Sequence, residues 1–131
     1  RSRTAGHPMR SIRHVWEHYT CASAAASAID AHIHGSSTDS RIAARFADGS
    51  VSFLYLDTTH ALEPTVEELN LWWPKIRRGG WLCGDDYNAG FGVIAAVATW
   101  RADNRIKDVP YKWAPGQFCI GKGTHAVAQP A

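Results

Sequence analysis

The stretch Val51-Ser52-Phe53-Leu54-Tyr55-Leu56 decides the fold class of this chain. It is a nearly continuous apolar run of strand length, which is typical of a strand covered on both faces within a parallel sheet. Asp48-Gly49 precede the run and favour a turn, and the polar Asp57 ends it. We therefore expect a buried strand over residues 51–56 and build the rest of the fold around it.

The segment that follows this strand has helical periodicity. Its apolar residues recur at spacings of three and four, at Val66, Leu69, Trp72, Trp73 and Ile76. We predict a helix over Glu63 to Ile76, with Pro64 in its first turn and Gly79-Gly80 as its C-terminal stop. Trp81-Leu82-Cys83 then begins a second buried strand. This order of strand, helix and strand predicts a parallel pair joined by a crossover helix.

The flanking segments extend the pattern on both sides. The predicted elements are a helix from Ser11 to about Ala28, a short strand Ala31–His34, a helix Ser40–Phe46, a helix Gly92–Trp100 and a hairpin formed by Val109–Trp113 and Gln117–Ile120. The sequence thus predicts an α/β sheet with crossover helices and an antiparallel C-terminal edge.

Length and composition restrict the classes of function. The chain has 131 residues, with 14 Lys and Arg against 12 Asp and Glu, and its charges alternate in sign along the sequence. This balance favours one domain that binds neither nucleic acid nor a membrane surface. No apolar stretch reaches the roughly 20 residues that a bilayer span requires. The wide spacing of Cys21, Cys83 and Cys119 favours reduced, buried thiols and a cytoplasmic protein.

Polar residues follow three of the predicted strands, at the sheet edge where open α/β sheets bind ligands. Gly35-Ser36-Ser37 follow the first of these strands, Asp57 and His60 the second, and Asp85 and Asp86 the third. The three carboxylates would repel one another, and a Mg²⁺ ion with oxygen ligands would relieve that repulsion. The alternative is that Asp57 and Asp85 cap helices and that Asp86 is solvated. His60 is either a general base or a polar surface residue.

The order of these blocks resembles the second half of class I S-adenosylmethionine-dependent methyltransferases. The blocks that carry the resemblance are Phe53–His60, Thr65–Leu69, Trp73–Gly80, Gly84–Tyr87 and Gly92–Val97. The pattern is most similar to small-molecule and sugar O-methyltransferases, whose strands end in D-x-x-H and D-D-Y. The resemblance covers roughly residues 32–122 and implies a Rossmann-like fold.

The resemblance also implies roles for individual residues. Asp57, Asp85 and Asp86 match the positions that bind Mg²⁺ in metal-dependent members, where the ion orients the acceptor hydroxyl. Gly35-Ser36-Ser37 match a loop beside the adenine of the cofactor, and Asp57 is assigned to cofactor binding as well. His60 and Asp57 match the catalytic positions near the acceptor.

Two features of the family are missing from residues 1–30, namely the first two strands and their G-x-G-x-G turn. The chain also begins at Arg1, without an initiator methionine. We therefore expect one partial methyltransferase domain, truncated at its N-terminus, over residues 1–131. Its parts are a helix at 10–30, a family-like core at 31–122 and a loose tail at 123–131.

The sequence thus leads to a prediction of methyl transfer from S-adenosylmethionine to a hydroxyl of a small molecule, with Mg²⁺ assistance. One alternative is a non-catalytic remnant or binding module that pairs its exposed sheet edge with another chain. A further alternative is a carboxylate-metal hydrolase that uses Asp57, His60, Asp85 and Asp86 with a bound water. The predicted partners are a hydroxylated small molecule and, as an option, further copies of the chain.

Overall fold

The computed structural model describes residues 27–112 and 114–123. The chain divides into two compact units, residues 1–34 and residues 35–131, and the elements below belong to the second. In chain order they are α1 (Ser40–Ala43), β1 (Val51–Leu56), α2 (Leu62–Trp72), a 3₁₀ turn (Trp73–Lys75), β2 (Ile76–Gly84), α3 (Val93–Asp103), β3 (Tyr111–Lys112) and β4 (Phe118–Gly121). The predicted helix at 10–30 and the predicted tail at 123–131 lie almost wholly outside the described residues.

Four strands form one mixed sheet in the order β1-β2-β4-β3. β1 and β2 are parallel, and Leu54 lies opposite Leu82. β4 pairs antiparallel with both β2 and β3. The α/β fold with an antiparallel C-terminal hairpin is therefore confirmed. α2 is the crossover connection that a parallel pair requires.

The core lies on one face of this sheet, beneath α2 and α3. Leu82 and Ile120 lie opposite each other in the register and are fully buried, and Leu54 of β1 packs against the same cluster. The helices contribute Leu69, Val97 and Trp100, and the Trp100 ring meets Trp73 edge to face at a centroid distance of 5.3 Å. Within the described residues, no helix is both long and apolar enough to cross a bilayer.

The opposite face of the sheet is open, and here the prediction for β1 was wrong. Phe53 is 60% exposed and Tyr55 is 40% exposed, whereas Leu54 and Leu56 point toward the core. An apolar cavity of about 330 Å³ lies on this open face, between Phe53, Trp81 and Gln117. A continuous apolar run therefore corresponds here to a strand with one buried face, because side chains alternate along a strand.

Two predicted boundaries also differ from the structure. α2 ends at Trp72, and the chain passes through the 3₁₀ turn directly into β2 at Ile76. Pro74 cannot donate a backbone hydrogen bond within a helix, so the predicted continuation to Ile76 fails. Gly79-Gly80 lie within β2 and do not stop a helix. The segment 31–34 contains no strand and is mostly exposed.

The prediction of reduced cysteines was wrong for two of the three. Cys83 of β2 and Cys119 of β4 are direct partners in the antiparallel register and form a disulfide. Both residues are buried, as predicted. Because the two positions are 36 residues apart, only the strand register brings them together. The inference of a cytoplasmic location from reduced thiols therefore no longer holds.

Candidate functional site

The carboxyl ends of β1 and β2 carry the polar residues that the sequence singled out. Leu56 and Gly84 are register partners, so Asp57 and Asp85 leave the sheet side by side. The backbone N–H of Asp85 donates to the carbonyl of Leu56 at 3.1 Å, which extends the parallel pairing beyond the strands. This is the edge where α/β folds bind their ligands.

The imidazole of His60 contacts the carboxylate of Asp86 across this edge. Nδ1 of His60 lies 2.5 Å from Oδ2 of Asp86, and the two side chains are 43% and 25% exposed. Because a carboxylate only accepts, Nδ1 carries the proton of this contact, which leaves Nε2 as the nitrogen that faces an acceptor. The predicted candidate base thus has a carboxylate that fixes its tautomer.

The backbone around this pair is tightly held. Asp86 has a φ of 56°, in the left-handed region that Asp adopts more easily than most residues, and its N–H donates to Oδ1 of Asp85 at 2.9 Å. The carbonyl of His60 accepts from the N–H of Gly92 at 2.8 Å. A Cβ on Gly92 would lie 2.7 Å from the nitrogen of Leu62, so only glycine fits there. The His60 ring also packs against Phe91, with ring centroids 4.7 Å apart.

Four of the predicted site residues border one small cavity. It has a volume of about 10 Å³, room for about one water. Asp57, His60, Asp85 and Asp86 all border it, together with Thr58, Thr59, Thr65, Glu68 and three apolar residues. The fold therefore brings Asp57, His60, Asp85 and Asp86 together, whereas the predicted cofactor loop at 35–37 does not border this cavity.

The three aspartates do not form the arrangement that a magnesium site needs. One oxygen of Asp86 contacts His60, and one oxygen of Asp85 accepts from the backbone N–H of Asp86. Among the described residues, no group of three or more His, Cys, Asp or Glu side chains is placed to hold a metal ion. The donor set as arranged does not fit Mg²⁺, which requires near-octahedral oxygen ligands.

Tyr55 connects the open face of the sheet to this edge. Its hydroxyl group lies near Asp85 and Gln117. Partial removal from water raises the pKa of Tyr55 above its usual value, and the negative charges of Asp85 and then Asp57 raise it further. The phenol is therefore neutral at physiological pH and is available as a hydrogen-bond donor at the carboxyl edge.

The loop of Gly35-Ser36-Ser37 lies at the same edge and is tied to α2. The hydroxyl of Ser37 donates to Oε1 of Glu68, and the carbonyl of Ser37 accepts from Nε1 of Trp72 at 2.8 Å. Asp39 then caps α1 by accepting from the N–H of Arg41 at 2.9 Å. The loop predicted to lie beside the cofactor is thus anchored through two side chains of α2.

Glu68 is the residue of this site that the sequence reading missed. It is only 1% exposed, and its second oxygen accepts from the hydroxyl of Thr58 at 2.9 Å. The spacing of Thr65, Glu68 and Trp72 places Glu68 on the buried side of α2, and all three are buried. A charged residue at a core-facing helical position was the available signal, because such a residue requires polar partners.

The architecture and the site together define a class: a Rossmann-like α/β domain with polar residues at the carboxyl edge of a parallel strand pair. A family model described as a methyltransferase domain matches residues 5–87, more than half of the chain. The chain therefore belongs to this family of methyltransferase domains. The matched range begins before the family-like core expected from the sequence and ends inside it.

A solved structure supports the same fold. The O-methyltransferase NovP aligns with a TM-score of 0.51 and 24% sequence identity, over 56% of this chain and 30% of the NovP chain. A protein from Corynebacterium glutamicum solved by a structural genomics consortium aligns with a TM-score of 0.46 and 16% identity, over 68% of this chain and 46% of its own. The chain thus spans less than half of either neighbour. Comparison with curated proteins gives no match.

Proposed function

We propose that this chain contributes the site of methyl transfer from S-adenosylmethionine to a hydroxyl of a small molecule, with His60 as the proton acceptor. The proposal depends on one observation, the pairing of His60 with Asp86 at the carboxyl edge of the sheet. Membership of a methyltransferase family supplies the reaction class. The acceptor class comes from the sequence resemblance.

The residues of this edge have separate roles in the proposed step. S-adenosylmethionine, when bound, supplies a methyl group that moves from its sulfonium to the acceptor oxygen and leaves a neutral thioether. His60 takes the hydroxyl proton at Nε2 as the oxygen–carbon bond forms. Asp86 accepts from Nδ1–H and stabilises the imidazolium that results. Transfer then needs only alignment and deprotonation, because the sulfonium is already an activated methyl donor.

Gly35-Ser36-Ser37 and Asp57 are the residues that we assign to the cofactor. Their chemistry fits: backbone amides and hydroxyls suit the edge of an adenine, and a carboxylate suits ribose hydroxyls. The loop and the end of β1 are held together through Glu68, which contacts Ser37 and Thr58. The small cavity is too narrow for the cofactor, so binding would use the open surface of this edge.

Magnesium assistance, which the resemblance implies through Asp57, Asp85 and Asp86, is not used in this proposal. One oxygen of Asp86 is paired with His60 and one oxygen of Asp85 accepts from the Asp86 backbone, and among the described residues no group of three or more His, Cys, Asp or Glu side chains is placed to hold a metal ion. No step of the proposed reaction therefore uses Mg²⁺.

The test uses the 131-residue chain with radiolabelled S-adenosylmethionine and a panel of hydroxylated acceptors, and calorimetric titration with S-adenosylhomocysteine. We expect His60→Gln to reduce the transfer rate by about 100-fold, because general bases contribute about 10²- to 10⁴-fold. The matched control is His34→Gln, an exposed histidine. Affinity for S-adenosylhomocysteine should be unchanged in both variants.

Two outcomes would contradict the proposal. Equal transfer rates in wild type and His60→Gln would remove His60 from the chemistry. A cooperatively folded wild type that neither binds S-adenosylhomocysteine nor transfers methyl groups would favour the non-catalytic binding module. Transfer that stops in EDTA and resumes with Mg²⁺ would require the three aspartates to rearrange from the contacts described here.

A further inference from the structure

Glu68 connects two loops that the proposed function assigns to one cofactor site. One oxygen of its carboxyl group accepts from Ser37, in the loop before α1, and the other accepts from Thr58, in the loop after β1. The two partners lie 31 and 10 residues away along the chain. The side chain of Glu68 therefore joins two loops that are distant in the sequence.

The environment of Glu68 makes these contacts costly to lose. At 1% exposure the carboxyl group has almost no access to water, so an oxygen that loses its hydroxyl partner has little solvent to replace it. The neighbouring Trp72 donates to the carbonyl of Ser37 at 2.8 Å, which fixes the same loop a second time. Two side chains of α2, Glu68 and Trp72, which lie about one helical turn apart, thus hold the first loop.

We propose that Glu68 is a positioning residue for cofactor binding: it fixes the Ser37 loop against the end of β1, so that Gly35-Ser36-Ser37 and Asp57 form one binding edge. Glu68 itself does not touch the cofactor. This inference rests on the proposed function, because it assigns Glu68 to the same site.

The first test is the affinity for S-adenosylhomocysteine, measured by calorimetry. We expect Glu68→Gln to weaken binding by about tenfold, since an amide keeps one acceptor oxygen and replaces the other with a donor that faces a hydroxyl. Glu67→Gln is the matched control, an exposed residue one position earlier on the same helix. In the transfer assay, Glu68→Gln should raise the KM for the methyl donor and change kcat by less than about twofold.

The second test does not depend on the cofactor. The indole N–H of Trp72 reports the position of the Ser37 carbonyl, so its ¹H–¹⁵N resonance, assigned with Trp72→Phe, follows the loop. Thr58→Val removes only one hydroxyl and retains the shape of the side chain. We expect Glu68→Gln and Thr58→Val to shift this resonance and to weaken S-adenosylhomocysteine binding together, with Glu67→Gln changing neither.

The outcomes separate this inference from the proposed function. Wild-type binding with an unchanged affinity in Glu68→Gln and Thr58→Val refutes the positioning role and leaves the proposed function intact. A folded wild type without affinity for S-adenosylhomocysteine overturns both. If Glu68→Gln fails to fold, Thr58→Val becomes the deciding variant. A shifted Trp72 resonance with an unchanged affinity for S-adenosylhomocysteine in that variant also refutes the positioning role of Glu68.

Discussion

Reduction of the Cys83–Cys119 disulfide should remove a large part of the stability of this domain. The crosslink joins residues 36 positions apart. In the chain-entropy model, closing a loop of this length lowers the entropy of the unfolded chain by 2.1 + 1.5R ln n, which is about 13 cal/mol/K. At 25 °C this corresponds to about 4 kcal/mol, against a total of about 5–15 kcal/mol for a typical domain.

The assay is urea unfolding of the oxidised protein, of the protein in dithiothreitol and of the Cys83→Ala/Cys119→Ala variant, with Cys21→Ser as the control. The oxidised protein should be more stable than the other two forms by about 4 kcal/mol, and Cys21→Ser should keep that difference. Thiol titration in denaturant should find one reactive thiol before reduction and three afterwards, since the chain has three cysteines. Three thiols in the protein as purified from non-reducing buffer, or equal stability in all forms, would refute this reasoning.

Three further predictions follow from named contacts. Tyr55 should ionise above pH 10, because burial and the carboxylates of Asp85 and Asp57 raise its pKa above the usual value of 10.0; its stabilising contribution is complete below about pH 10 and is lost as pH rises through the folded-state value. The difference between the alkaline absorbance titrations of wild type and Tyr55→Phe tests this: it should lie above pH 10 and move to lower pH in Asp85→Asn, and a difference centred at or below pH 10 would contradict it. Lys122→Met should cost about 1–3 kcal/mol in urea unfolding, because Nζ donates at 2.8 Å to the carbonyls of Trp73 and Ile76; the exposed Lys112→Met should cost less than about 0.5 kcal/mol, and equal losses would refute the assignment. Gly92→Ala should destabilise the domain by about 1–3 kcal/mol and lower methyl transfer, since the added Cβ would lie 3.0 Å from the carbonyl of His60; Gly90→Ala, which meets only the side-chain oxygen of Asn88, is the control, and similar effects of both would contradict the argument.

The fold was largely predictable because its decisive signals are local. Strand β1 has the predicted limits of Val51 and Leu56, and the crossover helix and the C-terminal hairpin follow from periodicity and turn residues. The boundary between α2 and β2 was missed because apolar residues continue through Trp73 to Ile76 on both sides of Pro74. Hydrophobic spacing alone does not distinguish the last turn of a helix from the first residue of a strand.

The site was predictable in its location but less so in its contacts. The predicted strand ends place Asp57, His60, Asp85 and Asp86 at one edge of the sheet. In the structure these four residues border one cavity at that edge. The pairing of His60 with Asp86 depends on the left-handed backbone of Asp86, and no spacing rule reports such a conformation. Contacts over long separations come from the tertiary fold: the Cys83–Cys119 contact depends on strand register, and the Glu68–Ser37 contact depends on the packing of α2 against the loop before α1.

The direct passage from α2 into β2 has a consequence for anyone who engineers this protein. A single residue added or deleted between Trp72 and Ile76 changes the face that the following side chains occupy, unless the irregular segment before Trp81, where the pairing with β1 already shifts, absorbs the change. If the change is carried past Trp81, the consequences reach the core and the site. Leu82 would leave the core, Cys83 would turn away from Cys119, and the aspartates that follow would be displaced from the cavity. The irregular connection at 104–110 is also held by contacts, because Ile106 packs against the core and Asp108 accepts from Arg101 and Gly123, so an inserted sequence there would disturb packing as well.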